Sequence, residues 1–269
     1  GDGMADREFS TVQHEISNNP MMGIADRNAF IERKTAEHHY QPPYFSKMER
    51  LNMQGAQAYS KPKVITPLSA EECKNKQQQD YKLLDVRSIE SYQGAPLPAS
   101  YCLPVSMLTA YAGWLFDPED QFIIIADDQE MASNAALHLA RIGYEHCHYY
   151  HGANLAATAA GGDEIESVDM VEVSKVKELL QQGWELLDVR KLTEYQQGHI
   201  EGSQHCFLGK LSEQIEQLSA NKNYITMCAS GMRASVAAGF LKANGFDNLS
   251  VFMGSMGAWQ SAGNSVTKA

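Results

Sequence analysis

Apolar and polar positions in the last hundred residues follow a pattern that predicts short strands separated by helices. The predicted strands are Trp184–Val189, Tyr224–Met227 and Leu249–Phe252. The predicted helices between them are Val176–Gln182, Leu211–Leu218 and Ala234–Asn244. The last helix is followed by Gly245, the residue type that most often ends a helix in the left-handed conformation. This alternation predicts an open parallel sheet with helices on both faces.

The chain repeats this pattern. Leu83–Arg87 recurs as Leu186–Arg190, at an offset of 103 residues, and Leu139–Tyr144 matches Leu241–Phe246 at an offset of 102. A length of 269 residues also suits two domains better than one core. The predicted fold is therefore α/β, with two tandem domains over 64–158 and 166–269. A small-residue, glycine-containing linker is predicted over 156–162.

Residues 1–63 have no partner in the repeat and are predicted to be a helical segment. Ala25–Glu37 has helical spacing with Asp26 as its N-cap, and Pro42-Pro43 precedes a second predicted helix from Tyr44 to Gly55. Two helices of this size cannot close a core alone. We expect them to pack on the repeats, on a second subunit in a homodimer, or on a domain absent from this chain.

Composition narrows the function classes. A net charge of −11 argues against a nucleic-acid binder, which would carry a basic patch. The sequence contains no run of about 18 apolar residues, so no membrane-spanning helix is predicted. Five unclustered cysteines suit reduced thiols better than a disulfide framework, and the first ten residues lack the pattern of a secretion signal. We therefore expect a cytoplasmic protein without nucleic-acid or membrane partners.

The candidate chemistry lies in the loop after the predicted strand Tyr224–Met227. Ligands gather at the carboxyl ends of strands in such folds, and Cys228 stands there, directly before a helix. Unpaired amides and the helix dipole favour a thiolate, Arg233 would add a positive charge, and Gly231 would let the loop curl into an anion nest. The candidate nucleophile is Cys228. The candidate anion-binding residues are Ala229, Ser230, Gly231, Met232 and Arg233.

These residues resemble the active-site loop of the rhodanese (thiosulfate sulfurtransferase) family. The resemblance extends over both repeats and includes Leu187–Arg190, Gly198–Ser203 and Gly254–Trp259. It implies that Cys228 accepts a sulfane sulfur from thiosulfate or a persulfide and passes it to a thiol or cyanide. The implied partners are small sulfur-containing anions and low-molecular-weight thiols, and no metal site is implied.

The first repeat is predicted to be catalytically silent. Alignment at an offset of 102 places Ala126 opposite Cys228 and Met131 opposite Arg233. The residues between them, 127–130, are mostly acidic and would repel an anionic donor. We therefore expect a scaffold or interface role for this domain.

Residues 1–63 have a resemblance of their own. Asn19-Pro20 and the segment Pro42–Asn52 look like the end of the metallo-β-lactamase-fold domain in persulfide dioxygenase–rhodanese fusions. This implies a fragment of such a fusion, with iron only in a missing dioxygenase domain and no cofactor in this chain. The alternative function is then a persulfide carrier or sensor module that accepts sulfur without turnover.

Other interpretations of the same residues are open. Cysteine phosphatases share the loop geometry, but they have one residue more between the cysteine and the arginine. Cys228 could be an ordinary core cysteine, and Cys206 could resolve a persulfide as a disulfide. Asp188 and Arg190 are predicted to form a structural ion pair rather than an acid–base pair.

Overall fold

The computed structural model describes residues 9–37, 41–55, 65–145, 147–152 and 166–268. It divides into two compact units, Gly1–Gln41 and Pro42–Ala269. The predicted linker over 156–162 lies outside the described residues. In the part of the chain that is described, no helix combines the length and the apolar character needed to cross a membrane.

The first unit consists of two short helices, α1 (Val12–Asn18) and α2 (Arg27–Thr35). Asp26 caps α2, because its carboxylate accepts a hydrogen bond of 2.7 Å from the Ala29 amide, so this predicted N-cap is confirmed. Neither helix has a buried residue, and Phe9 before them is 84% exposed.

The second unit begins with α3 (Phe45–Gln54), close to the predicted bounds of 44–55. Tyr44, its N-cap, lies so close to Gly113 of the first repeat that a Cβ atom there would overlap its ring. Lys47 Nζ adds hydrogen bonds of 3.1 Å to the Pro118 carbonyl and to a Glu119 carboxylate oxygen. This helix therefore packs on the first repeat, one of the three arrangements expected.

The first repeat forms a parallel five-stranded sheet in the order β1-β5-β4-β2-β3. Its strands are β1 (Thr66–Pro67), β2 (Lys82–Asp85), β3 (Ser100–Cys102), β4 (Phe122–Ala126) and β5 (Tyr149–Gly152). Its helices are α4 (Ala70–Gln77), α5 (Ile89–Gly94), α6 (Leu108–Leu115) and α7 (Gln129–Arg141). A 3-10 turn, Val105–Met107, leads into α6.

The second repeat forms a parallel sheet with the equivalent order β6-β10-β9-β7-β8. Its strands are β6 (Asp169–Val171), β7 (Glu185–Asp188), β8 (Gln204–His205), β9 (Tyr224–Met227) and β10 (Leu249–Phe252). Its helices are α8 (Val173–Gln181), α9 (Leu192–Gln197), α10 (Leu211–Gln214), α11 (Met232–Ala243) and α12 (Ser255–Ser261). Two 3-10 turns, Leu208–Lys210 and Ile215–Gln217, flank α10. The predicted α/β fold with two tandem domains is confirmed.

Each sheet is braced by a buried ion pair at the carboxyl end of the strand between the central and edge strands, β2 in the first sheet and β7 in the second. Arg190 donates from Nε and a terminal nitrogen to Asp188, at 2.9 and 2.6 Å, and reaches the Gly198 carbonyl at 2.8 Å. Arg87 and Asp85 repeat this geometry in the first domain. Both pairs are almost fully buried and hydrogen-bonded, as a structural pair requires.

The two domains meet where α11 lies across the edge strand β3. Gly239 on α11 faces the Cys102 backbone, with a would-be Cβ atom 3.0 Å from the Cys102 nitrogen. The rings of Tyr101 and Phe240 meet at 5.5 Å, and Trp114 of α6 meets Phe207 edge-on at 5.6 Å. One hydrophobic cluster contains buried residues of both domains, so the second unit has a shared core.

Candidate active site

Cys228 follows β9 directly, at the carboxyl edge of the second sheet, and is only 1% exposed. The loop ends at Gly231, which caps α11 with φ of +117°. A non-glycine residue is strained at this angle, so the predicted curl at Gly231 is confirmed. The loop therefore brings the Gly231 amide back toward the cysteine, and the two atoms, N and Cys228 Sγ, lie 3.1 Å apart in a hydrogen bond.

Three carbonyls of the loop are held by the start of α12. The carbonyls of Cys228, Ala229 and Ser230 accept hydrogen bonds of 3.0–3.1 Å from amides at the start of α12. The N–H of a trans peptide points opposite to its C=O. The loop amides are thereby turned away from α12, and the Gly231 bond to Sγ shows the direction they face. The amides that donate to these three carbonyls are those of Gly254, Met256 and Gly257.

Ser255 is part of the site, although the residue pattern did not single it out as a candidate. Its hydroxyl accepts the Cys228 amide at 3.0 Å, donates to the Phe252 carbonyl at 2.7 Å, and lies 4.0 Å from Sγ. The residue is fully buried at φ of +47°, a left-handed conformation that costs free energy for serine. The available signal was its position after β10, the strand beside β9.

Arg233 forms a bidentate ion pair with Glu194 of α9, with N···O distances of 2.7 and 2.9 Å. Burial acts to raise the pKa of Glu194, but the hydrogen bonds and charge of Arg233 outweigh it and hold that pKa below its ordinary value of 4.5. The positive charge expected of Arg233 is therefore present with a carboxylate paired to it. Glu194 lies 39 residues earlier in the chain, and no local pattern of residues indicates this contact.

The first domain also borders the site, through Tyr111 on α6. Trp114, one turn further along the same face of α6, packs on Phe207 of the second domain. Burial is the main cause that raises the pKa of the Tyr111 phenol; Arg233 opposes the rise, and the charges of Glu194 and Cys228 add to it. The charges of the ion pair and the cysteine thus act on the pKa of Tyr111.

The corresponding loop of the first domain differs in length as well as in charge. Asp85 pairs with Ile125 in one sheet and Asp188 pairs with Met227 in the other, so Ala126 is equivalent to Cys228 as predicted. The N-caps are Asp128 and Gly231, which makes the first loop one residue shorter.

Counting from these N-caps corrects one part of the predicted alignment. Glu130, rather than Met131, stands opposite Arg233. A cavity of about 380 Å³ beside this loop is lined by both carboxylates, Asp128 and Glu130, with Val105, Met131 and Asn134.

The other four cysteines are buried thiols without such a loop. Burial raises the pKa of Cys73 and of Cys206 to about 11 and that of Cys147 to about 12. Burial also raises the pKa of Cys102 well above its ordinary value. Cys206 donates to Gln214 Oε1 at 3.2 Å. Protonated thiols are poor nucleophiles, which argues against Cys206 as a resolving residue.

We find no cluster of three or more His, Cys, Asp or Glu side chains placed to hold a metal ion within the described ranges. The predicted site residues are contiguous: 228–231 form the loop, and 232–233 open α11. Glu194 of α9 and Ser255 of α12 contact these residues from two other elements.

The family model described as a rhodanese-like domain matches residues 69–157 and 172–262. A putative sulfurtransferase of Bacillus subtilis, YtwF, is 36% identical over 75 residues, covering 28% of this chain and 72% of that protein. The tRNA sulfurtransferase of Psychromonas ingrahamii is 35% identical over 93 residues, covering 33% of this chain and 17% of that protein. The chain spans 40% of a third relative, the putative sulfur carrier protein YrkF of Bacillus subtilis.

Two solved structures are among those to which the chain is similar. A rhodanese-related protein from Thermoplasma volcanium is 27% identical with a TM-score of 0.36, covering 38% of this chain and 99% of its own. The thiosulfate sulfurtransferase of Pseudomonas aeruginosa is 21% identical with a TM-score of 0.35. That similarity covers 76% of this chain and 41% of the Pseudomonas chain.

Proposed function

The chain belongs to the rhodanese-like domain family, in both of its domains, and we propose that it is a sulfurtransferase that carries a sulfane sulfur on Cys228. The observation that carries this proposal is the 3.1 Å hydrogen bond from the Gly231 amide to Cys228 Sγ. A donor aimed at sulfur stabilises a thiolate and, after sulfur transfer, a persulfide anion. Small sulfur-containing anions and low-molecular-weight thiols are the proposed substrates.

The proposed reaction has two half-steps. The Cys228 thiolate attacks the outer sulfur of thiosulfate, a new S–S bond forms, and the old S–S bond breaks with its electron pair leaving on sulfite. A thiolate or cyanide then attacks the outer persulfide sulfur, which releases a persulfide or thiocyanate and regenerates the Cys228 thiolate. Atoms and charges balance in both steps without a cofactor.

The loop residues have distinct proposed roles. The amides of Ala229, Ser230, Gly231 and Met232 form the nest for the terminal sulfur, since the carbonyl that shares a peptide group with each of them accepts a hydrogen bond elsewhere. Arg233 uses one donor on each terminal nitrogen for Glu194. Its other N–H groups are the ones proposed to hold an oxyanion of the donor.

Replacement of the nucleophile tests this proposal. We expect Cys228→Ser to abolish sulfite release from thiosulfate and sulfur transfer from other sulfane donors, because a serine hydroxyl forms no persulfide. Cys206→Ser is the matched control, a buried cysteine of the same domain, and should keep near-normal activity. Full activity in Cys228→Ser would refute the assignment.

The first domain is proposed to be catalytically silent. Ala126 occupies the cysteine position, and the carboxylates of Asp128 and Glu130 line the adjoining cavity. An anionic sulfur donor would be repelled there. We expect the Cys228→Ser variant to show no residual transfer that could be attributed to this domain.

A second candidate function is a persulfide carrier or sensor in a dioxygenase–rhodanese fusion. The burial of Cys228 and the neutralisation of Arg233 by Glu194 favour it, because both weaken capture of a free anion from solution. Sulfur would then be delivered by a partner domain, with any iron held in that domain. Mass spectrometry that shows one added sulfur atom on Cys228 without steady-state turnover would support this candidate over the enzyme.

A further inference from the structure

A glutamine of the first domain reaches the cysteine loop of the second. Gln93, on α5, is 1% exposed, and its Nε2 atom donates a 2.9 Å hydrogen bond to the hydroxyl of Ser235. Ser235 lies in the first turn of α11 and is equally buried. The two residues are 142 positions apart in the sequence, and this contact crosses the domain boundary.

The contact continues to the sulfur through one more residue. The Ser235 hydroxyl donates to the Gly231 carbonyl at 3.0 Å, and the Ser235 amide donates to the same oxygen at 2.9 Å. The Gly231 amide in turn donates to Cys228 Sγ at 3.1 Å. The order of contacts is therefore Gln93, Ser235, Gly231 and Cys228, with each hydrogen bond at 3.1 Å or less.

We propose that Gln93 is a positioning residue, through which the first domain fixes the orientation of the Gly231 amide toward Cys228. This inference rests on the proposed role of Cys228 as the nucleophile. It assigns the nucleophile-free domain a part in the chemistry of the other domain.

Gly231 is the point at which such a restraint has an effect. Glycine has more backbone freedom than any other residue, and here it holds φ at +117° while presenting its amide to sulfur. A serine hydroxyl in a helix can rotate among several acceptors. The Gln93 side chain donates to the oxygen of the Ser235 hydroxyl, so the hydroxyl proton is left to point at the Gly231 carbonyl. The Gly231 carbonyl and the Gly231 amide belong to two peptide groups joined at its Cα atom, so a bond that holds the carbonyl restrains the backbone dihedrals that aim the amide.

Gln93 itself can be changed with little cost to the fold. Among the described residues its Oε1 atom is buried without a hydrogen-bond partner, so the site gains nothing from that oxygen. The bond from the Val168 amide goes to the Gln93 main-chain carbonyl and survives a side-chain change. Methionine has similar length and no donor. Gln93→Met therefore removes the contact with Ser235 while filling the same space.

The repeat supplies a matched control. The offset of 103 residues places Gln196 opposite Gln93, at the same position of the second domain. Gln196 is exposed, unlike Gln93. Gln196→Met thus makes the same chemical change without touching Ser235.

The test measures the Cys228 thiolate directly in the full chain. Ultraviolet thiolate absorbance is followed against pH, and the curve of the same protein carrying Cys228→Ser is subtracted to remove the other cysteines. In Gln93→Met we expect roughly three- to tenfold less thiolate at a pH on the rising part of the curve, since a hydrogen bond to the anion is weakened. Ser235→Ala should shift the curve in the same direction, and the double variant should shift no further than the larger single change.

The charged and titratable groups coupled to the site, Arg233, Glu194 and Tyr111, are the same in all these variants. The inference is overturned if Gln93→Met titrates like wild type and like Gln196→Met, or if the two single shifts add. Melting curves show whether each variant is folded. If Gln93→Met does not fold, Ser235→Ala decides by the same criterion, a shift or no shift.

The thiolate readout separates this inference from the proposed function. Loss of the proposed function would appear as sulfur transfer that persists in Cys228→Ser, whatever Gln93 does. Loss of the inference would appear as an unchanged titration in Gln93→Met, with Cys228 still required for transfer. Under the inference, kcat for persulfide formation falls in Gln93→Met, while KM for thiosulfate stays within about twofold.

Discussion

Hydrogen bonding separates Cys228 from the other cysteines more than burial does. All five are buried, but within the described residues only Cys228 has a backbone amide donating to its sulfur. Cys206 instead donates to a side-chain oxygen. The sulfur of Cys228 is thus the one placed to act as an acceptor, which is the state that stabilises negative charge.

The Arg233–Glu194 pair predicts a specific acid sensitivity. The pKa of Glu194 is lowered below 4.5 on folding, so the pair contributes stability at higher pH and loses it as pH falls through the lowered value. We expect the melting temperature of wild type to fall more steeply than that of Glu194→Gln between pH 5 and pH 3. Because the pair is partly exposed, the free energy of unfolding that it contributes, and that acid removes, should be about 1 kcal/mol or less.

Calorimetry over that range measures the difference. Glu201→Gln, a change to an exposed carboxylate of the same domain, is the control and should follow the wild-type curve. Parallel curves for wild type and Glu194→Gln would contradict the linkage.

The sequence identified the loop residues but could not identify their partners. Cys228 to Arg233 stand together, and the position between a strand and a helix carries a chemical meaning. Glu194 is 39 residues from its partner Arg233, and Ser255 is 27 residues from Cys228. Gln93 is 142 residues from Ser235, its partner in the helix after the loop. These contacts depend on how strands and helices are arranged in space, and no local spacing records that arrangement.

At the scale of elements, the central strands were predictable and the edge strands were not. Tyr224–Met227 and Leu249–Phe252 have the predicted bounds, because each is a fully buried apolar run. Asp169–Val171 and Gln204–His205 are two or three residues long and too short to show a period. Helix α11 begins two residues before the predicted Ala234, because Gly231 caps it in the left-handed conformation.

Helix α11 has two functions, since it opens at the cysteine loop and lies on β3 of the first domain. The contact between α11 and β3 is tightest at Gly239, so we expect Gly239→Ala to destabilise the protein. The added methyl group meets main-chain atoms of Cys102, which cannot move aside as a side chain could. Overpacking costs about 1–3 kcal/mol, against about 1 kcal/mol gained in helix propensity.

Chemical denaturation measures the net effect of this change. We expect a loss of up to about 2 kcal/mol in Gly239→Ala. Gly94→Ala, a change into open space at the end of α5, is the matched control and should leave the midpoint near the wild-type value. A Gly239→Ala variant as stable as wild type would show that the two domains can move apart without cost.

At the scale of the whole molecule, the repeat was evident in the sequence but its interface was not. The offset of about a hundred residues predicts two similar domains, and the two equivalent strand orders agree with this. Repeats can be independent or joined. Here buried residues of both domains belong to one hydrophobic cluster, which includes Tyr101, Phe240 and their neighbours at the contact. A shared core should make the two domains unfold together.

Tryptophan fluorescence can test this cooperativity, because the tryptophans divide between the domains. Trp114→Phe leaves Trp184 and Trp259 as reporters of the second domain, while the double change Trp184→Phe/Trp259→Phe leaves Trp114 in the first. Gly239→Ala is then added to both backgrounds. If the domains unfold as one unit, Gly239→Ala lowers the free energy of unfolding by the same amount with either set of reporters, although Gly239 belongs to only one domain. A shift confined to the second-domain reporters would mean that the domains unfold separately, and that the first supports the cysteine loop only through local contacts such as Gln93.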